Sequence, residues 1–124
     1  MKKVLIVEDE VALRHLYEKA FAKNGNFEVA TASDGQEGLD AIAKSRPDIV
    51  LLDIMMPIMD GMTMLNKLRG DEATKDLPVL MLTNSGDLKN ITDAMVLHAD
   101  EYIVKSKAIP EKIVQRVKDK LGIQ

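Results

Sequence analysis

The chain has 124 residues, 46% of them hydrophobic and 30% charged, with a net charge of -3 and no cysteine. That is enough chain for one domain with a real core, and the lack of cysteine excludes disulfides, thiolate zinc sites and cysteine nucleophiles and suits a reducing, cytoplasmic compartment. The acidic balance argues against a broad footprint on nucleic acid, and an aromatic content of 3% removes the stacking platform of single-strand binders.

The first apolar run, Val4 to Val7, stops at the acidic pair Glu8-Asp9. It is too short for an export signal or a membrane span, so Lys3 to Val7 reads as a strand. Leu13, Leu16, Tyr17 and Ala20 then share one helical face, with Gly25 as a stop signal. A second strand is predicted over Phe27 to Ala32. A helix over Gly38 to Ala43 follows Ser33-Asp34-Gly35, with Leu39, Ile42 and Ala43 as its apolar positions. Asp48 to Asp53 is a solid apolar run ending in a carboxylate, the pattern of a strand buried on both faces. The next helix spans Met62 to Leu68, between Asp60-Gly61 and Gly70. Val79 to Thr83 is the fourth strand. Leu88 to Leu97 is a helix with Leu88, Ile91, Met95 and Val96 as its buried stripe. Tyr102 to Val104 is the fifth strand. Ile109 to Leu121 is the last helix, with Pro110 in its first turn and Ile113, Val114, Val117 and Leu121 at helical spacing.

Five strands alternating with five helices predict a flavodoxin-like, doubly wound α/β domain over residues 1–124. Right-handed crossovers and economy of connection favour a parallel sheet of order 2-1-3-4-5. Strands 1 and 3 are then neighbours at the switch point, where such sheets bind ligands. Glu8, Asp9, Asp53, Thr83 and Lys105 all fall at strand ends on one edge. At about 4 Å and an effective dielectric of roughly 20, each carboxylate pair repels by about 4 kcal/mol. Lys105 offsets part of that, and a divalent cation offsets more. A set of oxygen ligands suits Mg²⁺. With the charge offset, one carboxylate can attack phosphorus to form an aspartyl phosphate. Metal and Lys105 would stabilise the transferred group, and the Thr83 hydroxyl would donate to it.

Taken singly, each residue has a plainer reading. Asp9 could cap the first helix, Thr83 could be a satisfied strand-end hydroxyl, and Lys105 a solvated charge. Tyr102 is at least partly a packing residue. The combination on one edge favours chemistry. Met55, Met56, Met59, Met62 and Met64 form a cluster with no cysteine or nearby histidine to support a soft-metal site. Adaptable packing fits them better. His15 and His98 are isolated, and His15 reads as a surface residue of the first helix.

These pieces carry a family resemblance. Val4 to Glu10, Pro47 to Gly61, Pro78 to Thr83 and Ala99 to Lys105 together resemble the receiver domain of bacterial two-component response regulators. The resemblance implies that Asp53 is the phosphoacceptor. It implies that Glu8, Asp9 and Asp53 hold Mg²⁺, with the backbone carbonyl of Met55 as a further ligand. It casts Thr83 and Lys105 as contacts to the phosphoryl group, and Thr83 and Tyr102 as the switch pair. The donor would be a sensor histidine kinase or a histidine phosphotransfer protein. The helix 4, strand 5 and helix 5 surface would pass the signal to a downstream protein target. Arg14 and His15 lie on the helix expected to dock the kinase. The domain would catalyse only its own phosphorylation and dephosphorylation, bind neither nucleic acid nor membrane, and act as a monomer or a phosphorylation-dependent dimer. Asp100, Glu101, Arg116 and Lys120 are candidates for the dimer contact, though the same charges suit a solvated face.

Two positions depart from the family pattern. Ser106 follows Lys105 where proline is usual, and the bond there is typically cis. Asn84 stands where a small residue is usual. Two rivals remain. A haloacid-dehalogenase-type phosphohydrolase would need a second aspartate two residues after the first, and Met55 occupies that place. A phosphorylation-independent interaction module would not need Asp53, Lys105 and the acidic pair together. The end of the chain soon after the last helix suits a stand-alone regulator, and equally a receiver cut from a larger one.

Overall fold

The structure, a computed structural model, describes residues 1–84 and 88–123, the side chains of residues 88 and 90 excepted. In chain order the elements are β1 (Lys2–Val7), α1 (Val11–Asn24), β2 (Phe27–Ala32), α2 (Gly35–Lys44), β3 (Ile49–Asp53), α3 (Gly61–Arg69), β4 (Val79–Thr83), α4 (Leu88–Val96), β5 (Glu101–Val104) and α5 (Pro110–Leu121). All strand pairs are parallel and the sheet order is β2-β1-β3-β4-β5, as expected.

Alternation along the central strands divides the core into two layers. Leu5, Val7, Val50, Leu52, Val79 and Met81 face one side, where α2 and α3 supply Ile42, Met64, Leu65 and Leu68. Val4, Ile6, Ile49, Leu51, Leu80 and Leu82 face the other, against Tyr17 and Phe21 of α1 and Ile113, Val114 and Val117 of α5. Every residue of β3 and β4 is buried, which is why their sequences read as continuous apolar runs. Full burial of each large aliphatic chain contributes about 1.5–3 kcal/mol. Phe21 and Phe27 pack edge to face, their ring centres 5.0 Å apart.

Local chemistry sets the helix ends. The Glu37 N–H donates to the Asp34 side chain at 2.9 Å, and the Thr63 N–H donates to Asp60 at 2.8 Å, so aspartates cap α2 and α3. Helix α2 starts a turn earlier than its apolar pattern suggests. Gly35 sits in that extra turn because a Cβ there would lie 2.7 Å from the Met59 carbonyl oxygen.

Several core assignments need correction. Leu16 is 51% exposed, Met95 61% and Val96 69%. The stripe of α1 runs Leu13, Tyr17, Phe21 at four-residue steps, and Leu16 lies outside it. In α4 the small Ala94 is fully buried, which turns Met95 and Val96 outward by successive steps of about 100°. Ile91 is half-buried; the side chain of Leu88 lies outside the described residues. Ala43 of α2 is exposed.

Candidate functional site

The parallel topology brings the carboxyl ends of β1, β3, β4 and β5 to one edge. Glu8, Asp53 and Thr83 are buried there, and Asp9 is exposed. Carboxylate oxygens from Glu8, Asp9 and Asp53 lie within 4.8 Å of one another. Lys105 reaches in from a short 3-10 turn over Lys105–Lys107. Its Nζ donates to Glu8 Oε1 at 2.6 Å and stands 3.1 Å from Asp53 Oδ1. Glu8, Asp9, Asp53 and Lys105 therefore do converge.

The electrostatics follow from this crowding. Burial, followed by the nearby Asp53 charge, pushes Glu8 up to about 7 despite the Lys105 hydrogen bond. Burial also raises Asp53, with Lys105 pulling the other way. Burial alone would depress Lys105, but its bonds to Glu8 and Asp53 outweigh that and raise it. Tyr17, buried beneath the same pocket, is raised by burial and then by the charges of Glu8, Asp53 and Glu10. The site is an anionic cluster held only partly neutral by one ammonium. Its donors are all hard oxygens, and its raised carboxyls would gain from a cation, so the residues fit Mg²⁺.

Backbone contacts fix the acidic turn. The Glu10 N–H donates to Glu8 Oε2 at 3.2 Å. Arg14 Nη1 donates to the Glu8 carbonyl at 2.8 Å, so this arginine holds the β1–α1 turn. Its sequence position signalled only a place on the first helix. Gly61 closes the β3–α3 loop: its N–H donates to the Ile54 carbonyl at 2.8 Å, and a Cβ there would meet the Asp53 carbonyl oxygen at 2.1 Å.

The secondary candidates divide. Tyr102 is half-buried against the α2–α3 layer. The side chain of Met55 is 70% exposed, whereas Met56, Met59 and Met62 pack on the core and Met64 lies inside it. Among the described residues, the one group of three or more clustered histidine, cysteine or acidic side chains is the Glu8, Asp9, Asp53 set, so His15 and His98 stay apart. The Lys105–Ser106 bond is trans. Asn84 is exposed. Within the chain, Lys120 pairs with Asp100 at 3.1 Å and Arg116 pairs with Glu101. Arg69, unread in the sequence, donates to the carbonyls of Leu77 and His98 and pairs with Asp100 at 3.2 Å.

Residues 4–118 match the family model of the response regulator receiver domain, and the chain belongs to that family of two-component signalling proteins. It is 40% identical over 117 residues to a protein of Guillardia theta named "Probable transcriptional regulator ycf27", covering 94% of this chain and 44% of that one. The chain thus spans about half the length of the curated relatives it matches. A response regulator structure from Chloroflexus aurantiacus superposes with a TM-score of 0.89 at 34% identity, covering 98% of each chain. The Mn(2+)-bound form of the response regulator Rcp1 superposes with a TM-score of 0.85 at 26% identity, covering 96% of this chain and 93% of that one. Among the described residues, no helix is long and apolar enough to cross a membrane.

Proposed function

We propose that this chain is a phosphorylatable receiver unit over residues 1–124, with Asp53 as the phosphoacceptor. The observation that carries the reading is the bridge from Lys105 to both Asp53, at 3.1 Å, and Glu8, at 2.6 Å, inside a three-carboxylate pocket. An Asp53 oxygen attacks the phosphorus of a phosphohistidine. The phosphorus–nitrogen bond breaks, and its electron pair leaves with the imidazole.

Glu8, Asp9, Asp53 and the Met55 carbonyl would hold Mg²⁺, which supplies charge neutralisation for the transferring group. The Mn(2+)-bound form of Rcp1 supports the binding of a divalent ion. Lys105 holds the Asp53 carboxylate in place and then pairs with the phosphoryl oxygens. Thr83, buried at the end of β4, donates its hydroxyl to the new group. Drawing Thr83 inward frees space for the Tyr102 ring, and the α4, β5 and α5 face changes. Exposed Met95 and Val96 give that face an apolar patch for a protein target. The domain promotes only its own phosphorylation and dephosphorylation.

The donor is a sensor histidine kinase or a histidine phosphotransfer protein. A cleft of about 550 Å³ between α1 and the corner after β5, lined by Leu13, Leu16, Tyr17, Lys107, Ile109 and Lys112, offers apolar contact and positive charge beside the site. The name of the Guillardia relative suits an output in gene regulation. Intact-mass spectrometry after incubation with acetyl phosphate and Mg²⁺ tests the reading. One added phosphoryl group supports it; an unchanged mass sinks it.

A further inference from the structure

We propose that Arg14 is a positioning residue for the divalent cation, bracing the β1–α1 turn so that Asp9 meets the ion already oriented. This role rests on the Mg²⁺ reading of the pocket given above. Arg14 is half-buried, while His15 and Leu16 beside it are exposed. Its Nη1 donates to the Glu8 carbonyl at 2.8 Å and, more weakly, to the Asp9 carbonyl at 3.5 Å. Those two carbonyls belong to the peptide planes on either side of the Asp9 Cα. Each peptide is planar, so holding both sets the direction in which the Asp9 side chain leaves the backbone.

The turn has little else to hold it. Glu8, Asp9 and Glu10 lie between β1 and α1 and belong to neither. Aspartate side chains cap α2 and α3, whereas Glu10 at the start of α1 makes no side-chain capping bond, and the first turn of α1 has no acidic residue. Glu8 is fixed by its own contacts. Its N–H donates to the Ala32 carbonyl at 3.0 Å, and its carboxylate accepts from the Glu10 N–H and from Lys105. Asp9 is exposed, and Arg14 grips the backbone on both sides of it. A ligand on a loose turn loses conformational entropy when the ion binds; one held beforehand does not.

Charge and geometry work in opposite directions at this residue. A fixed positive charge beside a cation site repels the ion. Neutralising Arg14 therefore tightens Mg²⁺ binding if only its charge matters, and weakens it if the brace matters.

Two variants of the full chain separate these effects. Arg14→Met keeps an apolar stem and removes both donors and charge. Arg14→Lys keeps the charge, but its ammonium ends one bond short of Nη1 and lacks the planar fork. Mg²⁺ affinity is read from the dependence of the Tm on Mg²⁺ concentration, which also shows that each variant folds. Arg14→Met should bind Mg²⁺ about tenfold more weakly than wild type, the scale for a group that orients a metal ligand. Arg14→Lys should bind it more weakly by about threefold or more, which its unchanged charge cannot explain. Uptake from acetyl phosphate should slow in both at limiting Mg²⁺ and return to within about twofold of wild type at saturating Mg²⁺. Either variant binding Mg²⁺ as tightly as wild type, or slowing that persists at saturating Mg²⁺, overturns the proposal. A wild-type protein whose Tm ignores Mg²⁺ overturns the metal reading itself and this role with it, a result told apart by needing no variant.

Discussion

Lys105 and Glu8 are 97 residues apart in sequence, yet Lys105 Nζ donates to Glu8 Oε1 at 2.6 Å with both side chains almost fully buried. A glutamate reaches the lysine from the end of β1 while Asp9 beside it stays exposed. One ammonium therefore serves two buried carboxyls, since Asp53 lies 3.1 Å away. The pocket keeps an anionic excess that a divalent cation would relieve.

The pH dependence of the metal-free protein follows from Glu8. Its carboxyl moves from 4.5 to about 7 on folding, so the folded state holds the proton more tightly. The stability contributed is full below the unfolded value and is lost as pH rises through about 7. Urea unfolding in chelator should show stability falling between about pH 5 and about pH 8. Glu8→Gln should flatten that slope; an equally steep variant would clear Glu8 of the effect.

Lys105→Met removes the ammonium that bridges two buried acids. Breaking such a pair costs about 3–5 kcal/mol when the remaining charge cannot escape. Protonation of Glu8 offers an escape at low pH. The variant should therefore lose more stability at about pH 8 than at about pH 6, by chemical denaturation of both proteins. A loss independent of pH would mean that packing of the lysine stem dominates.

Mg²⁺ should raise the Tm. At ten times its Kd, a ligand that binds only the folded state adds about 1.4 kcal/mol. For a domain of this size that is a shift of roughly 3–8 °C. The shift should grow with pH, because the ligands must be deprotonated. Asp9→Asn, at the exposed member of the cluster, should shrink it without unfolding the protein. Differential scanning fluorimetry reads both.

Gly61→Ala places a methyl against the Asp53 carbonyl oxygen, at a site where 2.1 Å is available. The loop or the end of β3 must shift, at a cost of about 1–3 kcal/mol. Phosphoryl uptake from a small donor should slow as well, since the displaced backbone belongs to the acceptor. A fully active and fully stable variant would show that the loop yields freely.

Much of this was legible in the sequence, for physical reasons. The run Ile49 to Leu52 is apolar throughout because helices cover both faces of β3, and its terminal Asp53 marks the sheet edge. Strand ends alone were enough to gather Glu8, Asp9, Asp53, Thr83 and Lys105. Helix faces were harder. Ala94 carries too little hydrophobic signal to compete with Met95 and Val96, so the face of α4 was misread. Leu16 looked like core because α1 has apolar residues on more than one side. The positive φ of Ile58 left no trace, since glycine and asparagine are the residues that announce it. Arg69 was silent too: its partners are carbonyls, and every residue has one.

The most direct test of the central claim locates the phosphoryl group itself. The protein is phosphorylated with acetyl phosphate and Mg²⁺, and the acyl phosphate is trapped by borohydride reduction. Peptide mass spectrometry should find the reduced residue, homoserine, at position 53 alone. Reduction at Glu8, Asp9 or any other carboxylate, with residue 53 intact, would contradict the account.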